Sequence, residues 1–171
     1  MKYGIIFMGG ALALVAAAQA ADSPVFLYPL MKVTVAPQAQ ILWDVGNAAY
    51  DDNGNVNVAK MTTADWAKLS GAAQAMKAAA LSLADAPKVA VAAPGTKLQD
   101  EGSPGVATAA QIQRFIDADP KDFAAHARAL ADVSDGFLEA SRTRNGQTLA
   151  DASARLDEVC EACHVKYWYP K

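Results

Sequence analysis

Apolar residues recur at three- and four-residue steps in four stretches of the chain, and each such stretch predicts a helix with one inward stripe. The first covers about 23–50, where Leu27, Met31, Thr34, Gln38, Ile41, Val45 and Ala48 share a stripe. Pro29 suits a first helical turn. Pro37 lacks an amide donor and crowds the carbonyl four residues earlier, so the pattern predicts a kink there, or a break between two short helices that keep one register. Asp51-Asp52-Asn53-Gly54-Asn55 has the composition of a turn. The second helix starts at Thr62 or Thr63, with a hydroxyl cap and Asp65 in its first turn. Along it Trp66, Leu69, Ala73, Met76, Ala80 and Leu83 keep heptad spacing until Pro87 stops the helix.

Prolines 87, 94 and 104 and glycines 95, 102 and 105 make 87–107 a long connection. A short helix over 108–118 follows, with Ile112, Phe115 and Ile116 as its inner face. Asp119-Pro120 pairs a cap residue with proline at the first helical position. It opens the third long helix, which runs to about Arg142 with Phe123, Ala127, Leu130, Val133 and Phe137 inward. Asn145-Gly146 turns the chain into the last helix, whose stripe is Leu149, Ala152, Leu156, Val159, Cys160 and Cys163. Mostly short joins between amphipathic helices predict an all-α fold. Its expected form is an antiparallel four-helix bundle, with a short extra helix in the connection between the second and third helices.

Composition agrees. Alanine fills 39 of 171 positions, while valine, isoleucine and aromatic residues are comparatively few, which disfavours a β-rich chain. So much alanine lets helices approach closely but limits what a core gains, since a buried leucine contributes about 2–5 kcal/mol more than alanine. A bundle of this kind would benefit from a large apolar group inside it. Charged residues are 19% of the chain and the net charge is −3, which excludes a disordered acidic tail. A pI near 5.3 gives no reason to expect nucleic-acid binding.

Residues 1–20 read as a secretory signal peptide rather than as part of the fold. Lys2 is a short basic start, 5–18 is an uncharged apolar run, and Ala18-Gln19-Ala20 is the small-residue pattern that precedes cleavage before Ala21. The run is shorter than the roughly 20 residues of a spanning helix, and no later stretch is long enough either. Loss of Lys2 takes the charge from −3 to −4. The expected product, residues 21–171, is exported, soluble and not inserted in the membrane.

The last helix carries Cys160-Glu161-Ala162-Cys163-His164, the C-x-x-C-H attachment pattern of c-type haem. Two thiols three residues apart can join the two vinyl groups along one porphyrin edge, and the adjacent imidazole can then ligate the iron. The competing readings fit less well. A thioredoxin-type pair sits at a helix N-terminus after a strand, whereas this pair lies near a helix C-terminus. Structural zinc takes four ligands, and the chain holds two cysteines and two histidines in all. A disulfide is disfavoured by the three-residue spacing on a helix.

With a signal peptide, a bundle pattern and C-x-x-C-H on the last helix, the chain resembles the class II c-type cytochromes, the cytochrome c-prime and cytochrome c-556 group. The resemblance extends over residues 21–171 in layout, and it is specific in residues only from Cys160 to His164. It implies one covalently attached haem c, His164 as the proximal iron ligand, residence in the periplasm, and periplasmic redox proteins as partners. It also allows a homodimer through the first two helices. The family often places a basic residue soon after the haem histidine, where this chain has Lys166.

In that family the first helix presents a residue to the distal face of the haem. Met31 stands close to this position and is the candidate second iron ligand; the plainer reading is core filler. A coordinating methionine implies a low-spin one-electron carrier and no enzyme. A non-coordinating residue implies a five-coordinate iron that binds nitric oxide or carbon monoxide. His126, beside the inward stripe of the third long helix, is the alternative ligand, and the imidazole a peroxidase would need. Met61 and Met76 read as turn and core. Trp43 and Trp66 read as core or haem-packing residues, while Tyr167, Trp168 and Tyr169 would cover a haem edge or anchor the C-terminus. Arg114, Arg128, Arg142 and Arg144 are candidates to pair with haem propionates.

Overall fold

The computed structural model describes residues 23–170, so the expected signal peptide lies outside the described residues. The first helical stretch is not one regular helix. Val25–Phe26 is a short strand (β1), Leu27–Leu30 makes a single helical turn (α1), Met31–Val35 is a π-turn, and Ala36–Asn47 continues as α2. Pro37 explains the interruption. It has no amide for the Val33 carbonyl and its ring would crowd that oxygen, so the turn ahead of it widens. Ala36 accordingly donates to the Met31 carbonyl, five residues back.

The wide turn holds one extra residue and shifts every later position. Val35, Ala39, Leu42, Val45 and Ala49 are buried, whereas Thr34, Gln38 and Ile41 are half-buried and Ala48 is exposed. The expectation of one register across Pro37 is therefore corrected: beyond Met31, most of the inward residues come one position later.

The later helices follow their patterns closely. Thr63–Ala84 (α3) opens with a reciprocal cap, in which the Asp65 amide donates to Thr62 Oγ1 at 3.2 Å and the Thr62 amide donates to Asp65 Oδ2 at 2.8 Å. All six residues of its expected seam are buried. Ala109–Ala118 (α4) is capped by Thr108, and buries Ile112 and Ile116. Phe115, expected on its inner face, is 38% exposed. Pro120–Thr143 (α5) and Gly146–Tyr167 (α6) start at the Asp119 and Asn145 caps.

The connection before α4 is more than a loop. Its Val89–Ala90 segment (β2) pairs parallel with β1, Val25 opposite Val89. The Tyr28 amide donates to the Val91 carbonyl at 2.8 Å, and the Val91 amide donates to Gln113 Oε1 at 2.8 Å. These bonds strap the connection across the start of the first helical stretch, and bury Val91 and Leu98.

The described residues are mostly helical, and the long helices pack side by side: α3 along α5, α5 along α6, and α2 against both α3 and α6. Leu42, Leu69, Met76, Val133, Phe137, Leu149 and Leu156 form the fully buried centre. Close approach is enforced at the start of α6, where a Cβ on Gly146 would lie 2.6 Å from Val56 Cγ1. A second apolar cluster gathers Leu83, Val91, Leu98, Ile112, Ile116, Phe123 and Tyr167 near the end of α6. Among the described residues no helix is long and apolar enough to cross a membrane.

Candidate functional site

A cavity of about 660 Å³ opens between the first helical stretch, the strap, α5 and the C-terminal half of α6. This is within the range of small-molecule and cofactor sites. Its walls are largely aliphatic and aromatic. From α6, Cys160, Cys163 and His164 all border it, because residues three and four apart share a helix face. From the π-turn come Met31, which precedes the register shift, and Val35. Met31 packs against both apolar clusters, Cys160 against the central one and Cys163 against the second.

Both cysteines are free thiols. Burial is the main cause that pushes each up to about 11, assisted at Cys160 by Asp157 and at Cys163 by Cys160 and Asp122. They are therefore protonated near neutral pH, unlike the depressed thiols of redox-active pairs. Burial holds His164 below its ordinary value against the opposing charge of Glu161, which favours neutral imidazole, the ligand form. Among the described residues no hydrogen bond reaches the His164 ring. Aromatic packing holds it instead, with the Trp168 ring edge-on at 5.1 Å and the Tyr169 ring tilted at 6.0 Å.

Asp122 ties α5 to the end of α6. It accepts from the Tyr167 hydroxyl at 2.8 Å and is ion-paired with Lys166. These hydrogen bonds, Lys166 first, hold its carboxyl below the usual carboxylate range. Burial, and then the bond to Asp122, pushes the Tyr167 phenol up. Lys166 is thus engaged by Asp122. His126 also borders the cavity, its Nε2 3.5 Å from Asp122 Oδ2 and its ring edge-on to Tyr167.

The other expected residues divide clearly. Trp43 borders the cavity and donates from Nε1 to Asp157 Oδ1 at 2.8 Å, whereas Trp66 and Met76 belong to the core and Met61 packs against it. Tyr169 donates to Glu161 Oε2 at 2.6 Å. None of Arg114, Arg128, Arg142 and Arg144 borders the cavity, and Arg128 and Arg142 pair with Asp85 and Glu139. Among the described residues the lysine or arginine that borders the cavity is Lys32, next to Met31, and Tyr28 and Gln99 border it too. Sequence reasoning missed Lys32, Val91 and Leu98. The available signal was apolar Val89, Val91 and Leu98 inside an otherwise turn-like stretch.

Among the described residues no three His, Cys, Asp or Glu side chains converge as a metal cage. The cavity has room for a large apolar group, and two neutral thiols, an imidazole and a thioether stand on its border. No family model, curated protein or solved structure matches the chain.

Proposed function

We propose that this protein is an exported mono-haem c-type cytochrome that carries one electron between periplasmic redox proteins. One observation carries the reading: both thiols and the imidazole of the C-x-x-C-H motif border one apolar cavity with Met31. Cys160 and Cys163 would hold the haem c, His164 would be the proximal ligand and Met31 the distal one. In this reading the long helices form an antiparallel four-helix bundle around the cavity, as in the class II cytochromes that the sequence resembles.

When bound, the haem supplies the one-electron couple of its iron. The chain's residues do the rest. Cys160 and Cys163 would hold the group through thioethers, each giving up its thiol proton to the carbon beside the new C–S bond, so that no oxidant would be needed. With His164 neutral, a thioether from Met31 as the second ligand would favour the reduced metal and raise the potential. Valine, leucine and phenylalanine side chains make the walls largely apolar, and Lys32 borders the cavity, where it could neutralise a carboxylate. Exposed Asp157, Glu158 and Glu161 on the motif helix favour a partner with a basic face. The reading includes no catalytic turnover. A five-coordinate iron that binds nitric oxide or carbon monoxide is the second reading, favoured by the apolar Val35 and Leu27 beside Met31.

The test is expression of the full chain with its own leader, in a host that attaches haem to exported proteins. The expected intact mass is that of the processed chain plus one haem, retained in acidified acetone and lost when Cys160 and Cys163 are both replaced by serine. A processed wild-type chain without added mass would reject the reading.

A further inference from the structure

Trp168 lies four residues beyond His164, just past the end of α6. Its backbone is tied on both sides: the amide donates to the His164 carbonyl at 2.8 Å, and the carbonyl accepts from the Ala107 amide at 2.7 Å. Its ring packs edge-on against His164 and borders the cavity. Its Nε1 is buried and has no hydrogen-bond partner among the described residues.

This is an unusual state for an indole. The group donates and cannot accept, and buried donors in native proteins are nearly always paired. Trp43, on the same cavity, is paired in the ordinary way with Asp157. The two carboxylates that border the cavity are already used, Asp157 by Trp43 and Glu161 by Tyr169. Ser141 Oγ, the other unpartnered buried side-chain atom among the described residues, does not border the cavity. Swinging the Trp168 ring towards solvent would give up its packing on His164. The missing acceptor is therefore sought in whatever fills the cavity.

Resting on the haem reading above, we propose that the Trp168 Nε1–H donates to a propionate carboxylate of the bound haem. The two propionates are the acceptor groups on an otherwise apolar porphyrin rim. Trp168 then has two roles, packing on the imidazole of His164 and holding one carboxylate, so it acts as a binding residue in the haem's orientation.

The experiment uses the haem-loaded full chain in a diamagnetic ferrous form. The expected result is a nuclear Overhauser contact between the Trp168 indole proton and a propionate methylene, with slow exchange of that proton into deuterated water. Trp168→Phe keeps the ring and removes the donor. It is expected to retain covalent haem by intact mass, while shifting a propionate band in the resonance Raman spectrum. A loaded wild type whose indole proton lies near no propionate overturns the proposal and leaves the haem reading intact; an unshifted band in Trp168→Phe does the same. A chain that never acquires haem overturns both.

Discussion

The amide of Ala36 donates to the carbonyl of Met31, five residues back rather than four. That single wide turn lets the first helical stretch serve two surroundings, with Met31 on the cavity, Val35 and Ala39 both on the cavity and in the core, and Leu42 and Ala49 in the core. A π-turn carries one residue more than the α-turn it replaces. Val33 is the natural residue to remove, being 73% exposed. Deleting it together with Pro37→Ala, which returns the missing amide and removes the crowding ring, is expected to restore a regular helix with both faces still in phase, leaving the thermal midpoint unchanged or higher. Inserting an alanine after Val33 is expected to throw the faces out of phase and lower the midpoint by several degrees. Thermal unfolding followed by circular dichroism distinguishes the two, and equal losses in both variants would refute this account of the turn.

Met31→Ala tests the distal side. In the electron-carrier reading the loaded wild type is low-spin and ignores carbon monoxide, while the variant becomes high-spin and binds it. Optical spectra of oxidised and reduced protein, with and without the gas, read this directly. A wild type that is high-spin and binds carbon monoxide would move the protein to the gas-binding class.

The junction of α5 and α6 at Asp122 sets opposite pH limits. Asp122 is held below its ordinary value of 3.8, so its stabilising contribution is present above pH 3.8 and is lost as the pH falls further. Tyr167 is held above its ordinary value of 10.0, so its contribution is complete below pH 10.0 and is lost at higher pH, where the unfolded chain ionises first. Asp122→Asn should therefore flatten the acid limb of stability against pH, and Tyr167→Phe the alkaline limb. Denaturant unfolding across the pH range measures both. Limbs identical to the wild type would show that these groups are not coupled to folding.

Phe137 is fully buried among α2, α3 and α6 residues of the central cluster. Phe137→Ala is expected to cost about 3–5 kcal/mol, through lost burial and the cavity it leaves. That is a large part of the stability of a domain this size. Equilibrium unfolding in urea measures it, and a cost below about 1 kcal/mol would mean that the alanine-rich surroundings collapse into the space.

How much was legible differs along the chain. In α3, α5 and α6 the inward residues were read from spacing alone, because periodicity and caps are local properties: Thr62 with Asp65, Asp119 with Pro120, and Asn145 with Gly146 each mark a start. The first stretch was misread beyond Met31. Pro37 announced a fault, but whether the chain would kink, break or widen depended on what packed against it. Phe115 sits on the apolar side of its own helix, yet it stays 38% exposed, because how far a neighbour covers a helix edge is a matter of packing and not of spacing. The strap was hidden because Val89, Val91 and Leu98 stand among prolines and glycines with no period to reveal a partner.

By itself the sequence determined the chemistry that one helix offers. Cys160, Cys163 and His164 share a face of α6 because 3.6 residues make a turn, and no distant residue alters that. The tertiary structure alone decided what this face meets. Met31 lies 129 positions before Cys160, and Lys32, Val91 and Leu98 are as far outside any local pattern. Bringing them to one cavity depends on how whole helices and the strap pack, which local spacing does not encode.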